Sequence, residues 1–281
     1  MSDDAPLDPA AFYDEYGERE WERLDRDFHH RLEWEVTVEY LERYLPDEGR
    51  VLDAGGGAGR YAIWLARRGH DVTLLDASRG QANIAREKAA EHGVADRVRV
   101  TRGEVRGLPV GDGRFDATLC LGGPLSHVLD ADERRIAAAE LRRVTAPGGP
   151  VFVSVMGLLA SVTRVMRAAG RVDPDEDETE LLPDLVRDGD YDADLLDRFD
   201  REPTMGAMHL FRAAEFESLL EAAGLEVRAL AALEGPFSQR REALDLLTES
   251  HREAIRETLV ELREDRCVVD GSAHMLAVCR A

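Results

Sequence analysis

The segment from Val51 to Gly59 constrains the fold more than any other part of the chain. An apolar run, Val-Leu, leads into Asp53 and Ala54, and then into Gly-Gly-Gly-Ala-Gly. A helical pattern follows from Arg60 until Gly69 ends it. Glycines at such a turn allow the backbone to approach a ligand closely. The segment therefore predicts a buried strand, a ligand-binding turn and a helix.

Strand and helix patterns continue to alternate after this loop. Alternating residues lead to Asp76, a helix follows from Ser78 to His92, and the pattern repeats up to the strand Val151 to Met156. Regular alternation of this kind predicts an α/β fold in which helices cover both faces of a parallel sheet. We expect a Rossmann-like, doubly wound sheet.

Two segments depart from this alternation and predict the domain organisation. Residues 1–49 contain aromatic and aliphatic side chains at helical spacing, which predicts an N-terminal helical cap. Residues 50–281 form the main domain. Within it, residues 157–210 interrupt the alternation and carry an acidic run from Asp173 to Glu180, which we interpret as an inserted lid.

Two acidic residues at strand ends indicate what the glycine loop binds. Asp53 precedes the loop, and Asp76 ends the next strand, where a carboxylate can accept hydrogen bonds from both ribose hydroxyls of a nucleoside. The segment from Gly57 to Ala62 also fits the G-x-G-x-x-A pattern of dinucleotide-binding enzymes. Asp53 favours a different ligand, because its carboxylate would repel a pyrophosphate but attract the ammonium and sulfonium of S-adenosylmethionine.

The chain resembles the class I S-adenosylmethionine-dependent methyltransferases. The resemblance covers about Arg50 to Val155 and rests on motifs that follow the family's order: LDAGGGAG, VTLLDAS, Gly103-Glu104-Val105, FDATLCLGGPLSHV and ELRRVTAPGGPVFVSV. It implies about seven strands, of which the last is antiparallel. It also implies that S-adenosylmethionine is the cofactor.

The resemblance assigns the cofactor contacts residue by residue. The glycine loop with Asp53, Gly55 and Gly57 holds the methionine end, and Asp76 holds the ribose. The remaining contacts are Glu104 and Val105 at the adenine, and Leu121 and Gly122 beneath the sulfonium. The family often has aspartate at the position of Glu104, so the adenine contact departs from the pattern. A structural alternative is that Asp53 caps the turn and Glu104 is an exposed loop residue.

Candidate residues outside these motifs are His127 and several N-terminal side chains. His127 follows Gly122 in a loop that commonly faces the acceptor, and an imidazole there suits a general base. A structural role is an equal alternative, since a lone histidine at a junction of loop and helix is at least as often structural. The N-terminal side chains that we expect to close over the cofactor are Tyr13, Tyr16, Trp21 and Arg31. Among them Tyr16 or Arg31 reaches the cofactor carboxylate in this interpretation. Packing against the sheet is the alternative role for all of them.

The charge balance limits the classes of partner. The net charge is -21, and Lys88 is the single lysine. Such acidity is typical of proteins from salt-loving organisms, because carboxylates keep a surface hydrated in concentrated salt. It also disfavours nucleic acid, without excluding it, since phosphate binding needs a basic surface. The widely spaced Cys120, Cys267 and Cys279 predict no metal site, and the absence of a signal or membrane-span pattern predicts a cytoplasmic protein.

The sequence therefore predicts transfer of a methyl group from S-adenosylmethionine to an acceptor, for which a small molecule is favoured. Three alternatives remain open at this point. The chain also resembles, more loosely, bacterial methyltransferases that modify carboxymethoxyuridine in transfer RNA. The other two are a noncatalytic S-adenosylmethionine-binding protein and a nicotinamide-dependent oxidoreductase.

Overall fold

The architecture is that of a computed structural model, which describes residues 7–172 and 177–281. A seven-stranded sheet forms its centre, with the strand order β3-β2-β1-β4-β5-β9-β8. The strands are β1 (Arg50–Ala54), β2 (Asp71–Asp76), β3 (Val98–Arg102), β4 (Ala117–Cys120), β5 (Pro150–Met156), β8 (Glu226–Ala232) and β9 (His274–Arg280). A separate two-stranded pair comprises β6 (Asp190–Tyr191) and β7 (Met208–His209).

The strand pairing confirms the predicted mostly parallel sheet. β1 pairs in parallel with β2 on one side and with β4 on the other. β9 lies between β5 and β8 and is antiparallel to both, as expected for the last strand. The chain reverses its direction of travel across the sheet between β1 and β4. At such a reversal the loops after the two strands diverge and leave a crevice at their carboxyl ends.

Helices cover both faces of the sheet. The N-terminal segment contributes α1 (Pro9–Tyr16), α2 (Arg19–Glu22), a 3-10 turn (Arg23–Asp25) and α3 (Phe28–Tyr44). The next helices are α4 (Arg60–Arg67), α5 (Arg79–Glu91), α6 (Ala131–Val144) and α7 (Leu158–Ala168). The remaining helices are α8 (Leu182–Asp188), α9 (Ala193–Arg198), α10 (Ala213–Ala222), α11 (Arg241–Leu244), α12 (Glu249–Leu262) and α13 (Arg266–Asp270).

The core is divided by the sheet into two layers. Val51 of β1 faces a layer that includes Leu32 of α3 and Leu65 of α4, and all three are buried. The next residue, Leu52, faces the other layer, where Leu141 of α6 packs. This alternation follows from the period of two along a strand. Burial on both faces explains why the strands read as nearly continuous apolar runs.

The segment between Gly157 and His209 has a small apolar core of its own. Leu158, Leu185, Tyr191 and Leu196 belong to this buried cluster, and Leu7 at the start of the described chain packs against it. Part of the predicted acidic run, residues 173–176, lies outside the described residues. No helix among the described residues is long and apolar enough to cross a membrane.

Candidate functional site

A cavity of about 510 Å³ opens at the carboxyl ends of β1, β2 and β4, where the crevice is expected. Its walls come from the glycine loop, from the loops after β2, β3 and β4, and from α1 and the turn after α2. A cavity of this size suits a ligand of nucleoside-cofactor size. Representative lining residues are Tyr13, Glu20, Arg23, Gly55, Gly57, Asp76, Glu104, Val105, Leu121, Gly122 and His127.

The glycine loop forms the floor of the cavity through conformations that other residues rarely adopt. Gly55 and Gly57 have φ angles of 76° and 52°, in the left-handed region that favours glycine. A Cβ on Gly55 would lie 2.4 Å from Cγ of Pro124, so a side chain there would collide with the loop after β4. A Cβ on Gly57 would come no closer than 3.5 Å to a neighbour, Glu20. The loop therefore presents bare backbone to a ligand.

Asp76 is the last residue of β2, and both of its carboxylate oxygens accept hydrogen bonds. Its Oδ2 accepts a hydrogen bond of 2.8 Å from the Gly57 amide, and its Oδ1 accepts one of 2.8 Å from Ser78. Burial raises its pKa to about 6, against the opposing effect of these two donors. Each oxygen keeps further acceptor capacity, so Asp76 can still receive two vicinal hydroxyls.

Asp53 does not line the cavity. Its side chain is fully buried beneath the glycine loop, where a Cβ on Gly56 would lie 2.6 Å from its Oδ2. Burial, with the Asp76 carboxylate nearby, raises its pKa to about 7. We expected Asp53 to contact the cofactor directly, but its side chain lies behind the loop and does not reach the cavity. Neither carboxylate oxygen of Asp53 has a hydrogen-bond partner among the described residues, so the alternative role as a cap of the turn is not seen either.

The loop after β3 brings Glu104 and Val105 to one end of the cavity. Val105 is buried, as an apolar contact for a flat ring requires. Glu104 is exposed, and its carboxylate accepts a hydrogen bond from Arg106. Arg106 also donates to Glu133 at 2.5 Å. The Glu104 side chain is thus already engaged in an ion pair at the cavity edge, a feature that the sequence did not reveal.

Leu121 and Gly122 lie where β4 ends, opposite the glycine loop. The Gly122 amide donates to the Ser154 hydroxyl of β5 at 2.8 Å, and its φ of 80° turns the chain away from the sheet. A Cβ on Gly122 would lie 3.7 Å from Nη2 of Arg23. Both expected residues therefore line the cavity, and an arginine that was not expected lies close to them.

Helix α1 closes over the cavity and is anchored by α5. The Gln81 amide nitrogen donates to the Tyr13 carbonyl at 2.8 Å and to the Gly17 carbonyl at 3.1 Å. The Asp14 carboxylate accepts hydrogen bonds from the Ser78 hydroxyl and, at 2.8 Å, from the Gly80 amide. Asp14 and Gln81 thus fix α1 in place and carry Tyr13 into the cavity wall.

Three of the N-terminal side chains expected at the cofactor are located elsewhere. The Tyr16 ring stacks on Phe12, with ring centroids 5.7 Å apart. Arg31 points toward the Asp25 carbonyl, 3.4 Å away, because it lies on the outer side of α3. Trp21 packs beside His92 with ring centroids 5.2 Å apart. Tyr16 and Arg31 are thus not among the lining residues of the cavity, contrary to the expectation that one of them reaches it. The Tyr16 and Trp21 rings lie against neighbouring rings instead.

Glu20 and Arg23 occupy the place expected for Tyr16 and Arg31. Arg23 Nε donates to Glu20 at 3.2 Å, and both side chains line the cavity next to Gly57 and Gly122. Sequence reasoning missed them. The available signal was their spacing of three residues, which places opposite charges on one helical face. A partly buried acid and base side by side match the two ends of an amino-acid zwitterion.

His127 lies in the 3-10 turn after β4, and its hydrogen bonds define its tautomer. Nδ1 lies 2.9 Å from the Ala207 carbonyl, which only accepts, so Nδ1 carries the proton. Nε2 then accepts from the Tyr13 hydroxyl, 3.2 Å away. Burial lowers the pKa of His127, so the ring is neutral at pH 7. The turn therefore presents a basic nitrogen bonded to a tyrosine hydroxyl at the cavity wall.

Comparisons with known proteins show the family of the chain. The model of the methyltransferase domain family matches residues 51–149, which contain the glycine loop, Asp76 and the loops after β3 and β4. A protein from Encephalitozoon cuniculi (strain GB-M1) named as a methyltransferase is 32% identical over 171 residues, which cover 60% of this chain and 75% of that protein.

The chain is also similar to a second enzyme in sequence and to a solved structure in fold. The malonyl-[acyl-carrier protein] O-methyltransferase of Erwinia pyrifoliae is 34% identical over 149 residues, and the match spans about half of each chain, 52% of this one and 53% of that enzyme. A Methanosarcina mazei S-adenosylmethionine-dependent methyltransferase has a similar fold, with a TM-score of 0.57 at 18% identity, covering 86% of this chain and 96% of that one. The chain belongs to the class I S-adenosylmethionine-dependent methyltransferases and transfers the methyl group of that cofactor.

Proposed function

We propose that the acceptor is a small molecule enclosed between α1, the turn after β4 and the 157–210 lid, and that Tyr13 and His127 remove its proton. One observation carries the proposal. The hydrogen bonds from Tyr13 to His127 and from His127 to the Ala207 carbonyl join these three elements in one line at the cavity wall. Such a line serves a reaction that is closed off from water.

The donor is assigned to the cavity from the groups that face it. Asp76 would accept the ribose hydroxyls, and the backbone of Gly55 and Gly57 would lie against the methionine portion. Arg23 would meet the carboxylate and Glu20 the ammonium, since each is a buried charge of the opposite sign. These assignments replace the Tyr16 and Arg31 contacts that the sequence suggested.

The same placement of the donor assigns the residues around its adenine ring and its sulfonium. Val105 offers the buried apolar surface for the ring, and Glu104 at the edge is tied to Arg106. Leu121 and Gly122 border the position of the sulfonium. Asp53 acts from behind the loop, where its charge adds to the negative potential that favours a cationic donor.

The two residues Tyr13 and His127 would activate the acceptor by general base catalysis. S-adenosylmethionine, when bound, supplies an electrophilic methyl group whose bonding electrons stay with sulfur as the acceptor bond forms. An acceptor hydroxyl or amine next to Tyr13 passes its proton to the Tyr13 oxygen as that oxygen passes its own to Nε2 of His127. The imidazolium so formed keeps its Nδ1 hydrogen bond to Ala207.

The charge of the enclosure supports a small acceptor. Asp8, Glu20, Asp130 and Glu133 all line the cavity, within a chain of net charge -21. A phosphate backbone would meet like charge there, whereas a small neutral or cationic molecule would not. Transfer RNA is the alternative acceptor, and noncatalytic binding has no support from the relatives, which are named as methyltransferases.

We also propose a domain division and an environment for the protein. We assign residues 1–49 to a cap, 50–281 to the catalytic domain and 157–210 to its lid. The described cysteines, Cys120, Cys267 and Cys279, are free thiols, which accords with a reducing cytoplasm. The excess of carboxylates accords with a high-salt environment.

Calorimetric titration with S-adenosylmethionine in high-salt buffer tests the donor site. We expect micromolar affinity and a loss of about ten-fold or more for Asp76→Ala, which removes charge-assisted hydrogen bonds. Asp71→Ala, at the other end of the same strand, is the matched control, because Asp71 is exposed. Unchanged affinity in folded Asp76→Ala protein would remove Asp76 from the site.

The acceptor is tested with labelled methyl donor. Incubation with a small-molecule extract and, separately, with transfer RNA should place the label in the small-molecule fraction. Neutralising Asp177, Glu178 and Glu180 in the lid should preserve donor binding and reduce this turnover. Label in transfer RNA alone would contradict the proposal.

A further inference from the structure

A chain of four charged side chains, two buried and two partly buried, starts at the wall of the donor cavity. Glu33 accepts two hydrogen bonds from Arg23, at 2.6 and 2.9 Å from Nη1 and Nη2. Behind it, Nδ1 of His274 lies 3.8 Å from Glu33 and donates to Glu234 at 2.6 Å. We call these four residues, Arg23, Glu33, His274 and Glu234, the charge chain.

The charge chain connects distant parts of the sequence. Arg23 belongs to the 3-10 turn after α2, Glu33 to α3, Glu234 to the residues after β8, and His274 to the first position of β9. The side chains of Glu33 and Glu234 are only 1% and 0% exposed. The Ser272 hydroxyl donates to Glu234 at 3.0 Å and fixes the far end.

Within the charge chain, the positive side chains balance the negative ones. Ligand atoms of Glu33, Glu234 and His274 lie within 4.8 Å of one another, a spacing that suits a metal ion. However, Arg23 already takes both oxygens of Glu33, and the two carboxylates raise the pKa of His274 to about 9, so its ring is protonated at neutral pH. Two cations thus balance two anions, and the arrangement serves the protein's own side chains.

Arg23 is the member that reaches a ligand. Its two Nη atoms each carry two hydrogens, of which Glu33 uses one apiece. Glu20 occupies the Nε hydrogen. The hydrogens that remain belong to the same rigid plane, so the direction in which Arg23 presents them is fixed by Glu33. A buried arginine without this partner would lose the compensation for its desolvation.

We propose that Glu33, backed by His274 and Glu234, is a positioning residue that holds the Arg23 guanidinium toward the carboxylate of the methyl donor. This inference rests on the proposed placement of the donor in the cavity. Glu33 itself does not touch the donor. Its effect on binding is therefore confined to the part of the ligand that Arg23 contacts.

The experiment compares two ligands in the same variant. S-adenosylhomocysteine has the amino-acid portion, whereas 5′-methylthioadenosine lacks it. In Glu33→Gln, we expect the dissociation constant of S-adenosylhomocysteine to rise about ten-fold or more, while that of 5′-methylthioadenosine changes less than about two-fold. Because both titrations report on the same folded molecules, a partial loss of stability does not alter their ratio.

Matched variants separate positioning from general support of the fold. Glu39→Gln removes another Arg–Glu pair on α3, in which Arg263 donates at 2.6 and 2.5 Å, and Glu39 is not a cavity residue. We expect it to leave both affinities unchanged. Glu33→Asp retains the charge and should restore part of the lost affinity. His274→Gln should weaken the binding of S-adenosylhomocysteine less than Glu33→Gln does, because the closest contact of His274 is Glu234 and not Glu33.

The outcomes are distinct from those that test the donor site. Failure of the wild-type protein to bind either ligand would overturn the proposed donor cavity. Wild-type binding with equal losses for both ligands in Glu33→Gln would overturn the positioning role and leave Glu33 as a residue of the fold. Full retention of S-adenosylhomocysteine affinity in Glu33→Gln would overturn it equally.

Discussion

The Tyr13 hydroxyl lies 3.2 Å from Nε2 of His127, although 114 positions separate the two residues in the sequence. The contact exists because α5 anchors α1 over the cavity through Gln81. It joins a weak acid whose pKa is raised by burial to an imidazole whose pKa is lowered by burial. Both groups are therefore neutral at pH 7 and able to relay a proton.

Substitution of Tyr13 or His127 should slow methyl transfer without weakening the binding of S-adenosylmethionine. We expect His127→Asn to lower kcat about 100-fold, the lower end for a lost general base, and Tyr13→Phe to lower it about ten-fold or more. Single-turnover rates with saturating labelled donor are the measurement. Tyr44→Phe, which alters a tyrosine at the end of α3, is the control. Wild-type kcat in both pair variants would exclude them from proton transfer.

The wild-type pH profile should reflect the lowered pKa of His127. Because the base functions only when neutral, kcat should stay constant as the pH falls through the ordinary histidine range near 6.5 and decline only below it. A decline centred above pH 7 would be incompatible with His127 as the base.

Asp53→Asn should stabilise the protein above neutral pH. Its pKa is about 7 in the folded chain, against 3.8 as the ordinary value. A carboxyl whose folded pKa is raised favours the folded state fully below pH 4 and loses that contribution as the pH rises to 7. At pH 8 the neutral amide avoids the cost of a buried anion, a gain of about 1 to 3 kcal/mol.

Urea unfolding of the wild-type protein and Asp53→Asn at pH 5 and pH 8 measures this difference. The gain should be larger at pH 8. Asp71→Asn, at the exposed start of β2, should show no such dependence. A lower stability of Asp53→Asn at both pH values would mean that the carboxylate makes contacts stronger than its burial cost.

His274 should link stability to alkaline pH. Glu33 and Glu234 raise its folded pKa to about 9, while Arg23 opposes them. A histidine with a raised pKa stabilises the fold fully below about 6.5 and loses this contribution as the pH rises through 9. We expect a loss of up to about 3 kcal/mol across this window.

His274→Gln isolates that contribution. Its unfolding free energy should depend less on pH between 6.5 and 9 than that of the wild-type protein. His251→Gln is the control, since His251 is exposed on α12. Parallel curves for the wild-type protein and His274→Gln would show that folding does not raise the pKa of His274.

Withdrawal of salt should destabilise the protein. The net charge of -21 makes repulsion between carboxylates grow as the Debye length lengthens from about 3 Å at 1 M salt to about 10 Å at 0.1 M. Thermal melting in a potassium chloride series should therefore give a Tm that falls with decreasing salt. A constant Tm, or one that rises as salt is removed, would contradict adaptation to high salt.

Local sequence patterns were enough to predict the sheet and to propose the donor end of the site. Apolar strands such as Val51 and Leu52, glycine at Gly55 and Gly57, and an acid at Asp76 are local patterns, because each follows from the backbone conformation or burial of its own segment. Their order along the chain gave the class of fold. The antiparallel last strand was implied by the family resemblance rather than by any local pattern.

Which side chains line the cavity depends on how the helices pack, and this could not be predicted from the sequence. Arg31 and Arg23 are equally plausible in sequence, but the direction of α3 turns Arg31 outward and the preceding 3-10 turn aims Arg23 inward. The same applies to Asp53, which lies behind the loop it precedes, and to Glu33 and His274, which meet between α3 and the start of β9. Contacts between remote segments depend on helix packing and burial, and no local pattern encodes them.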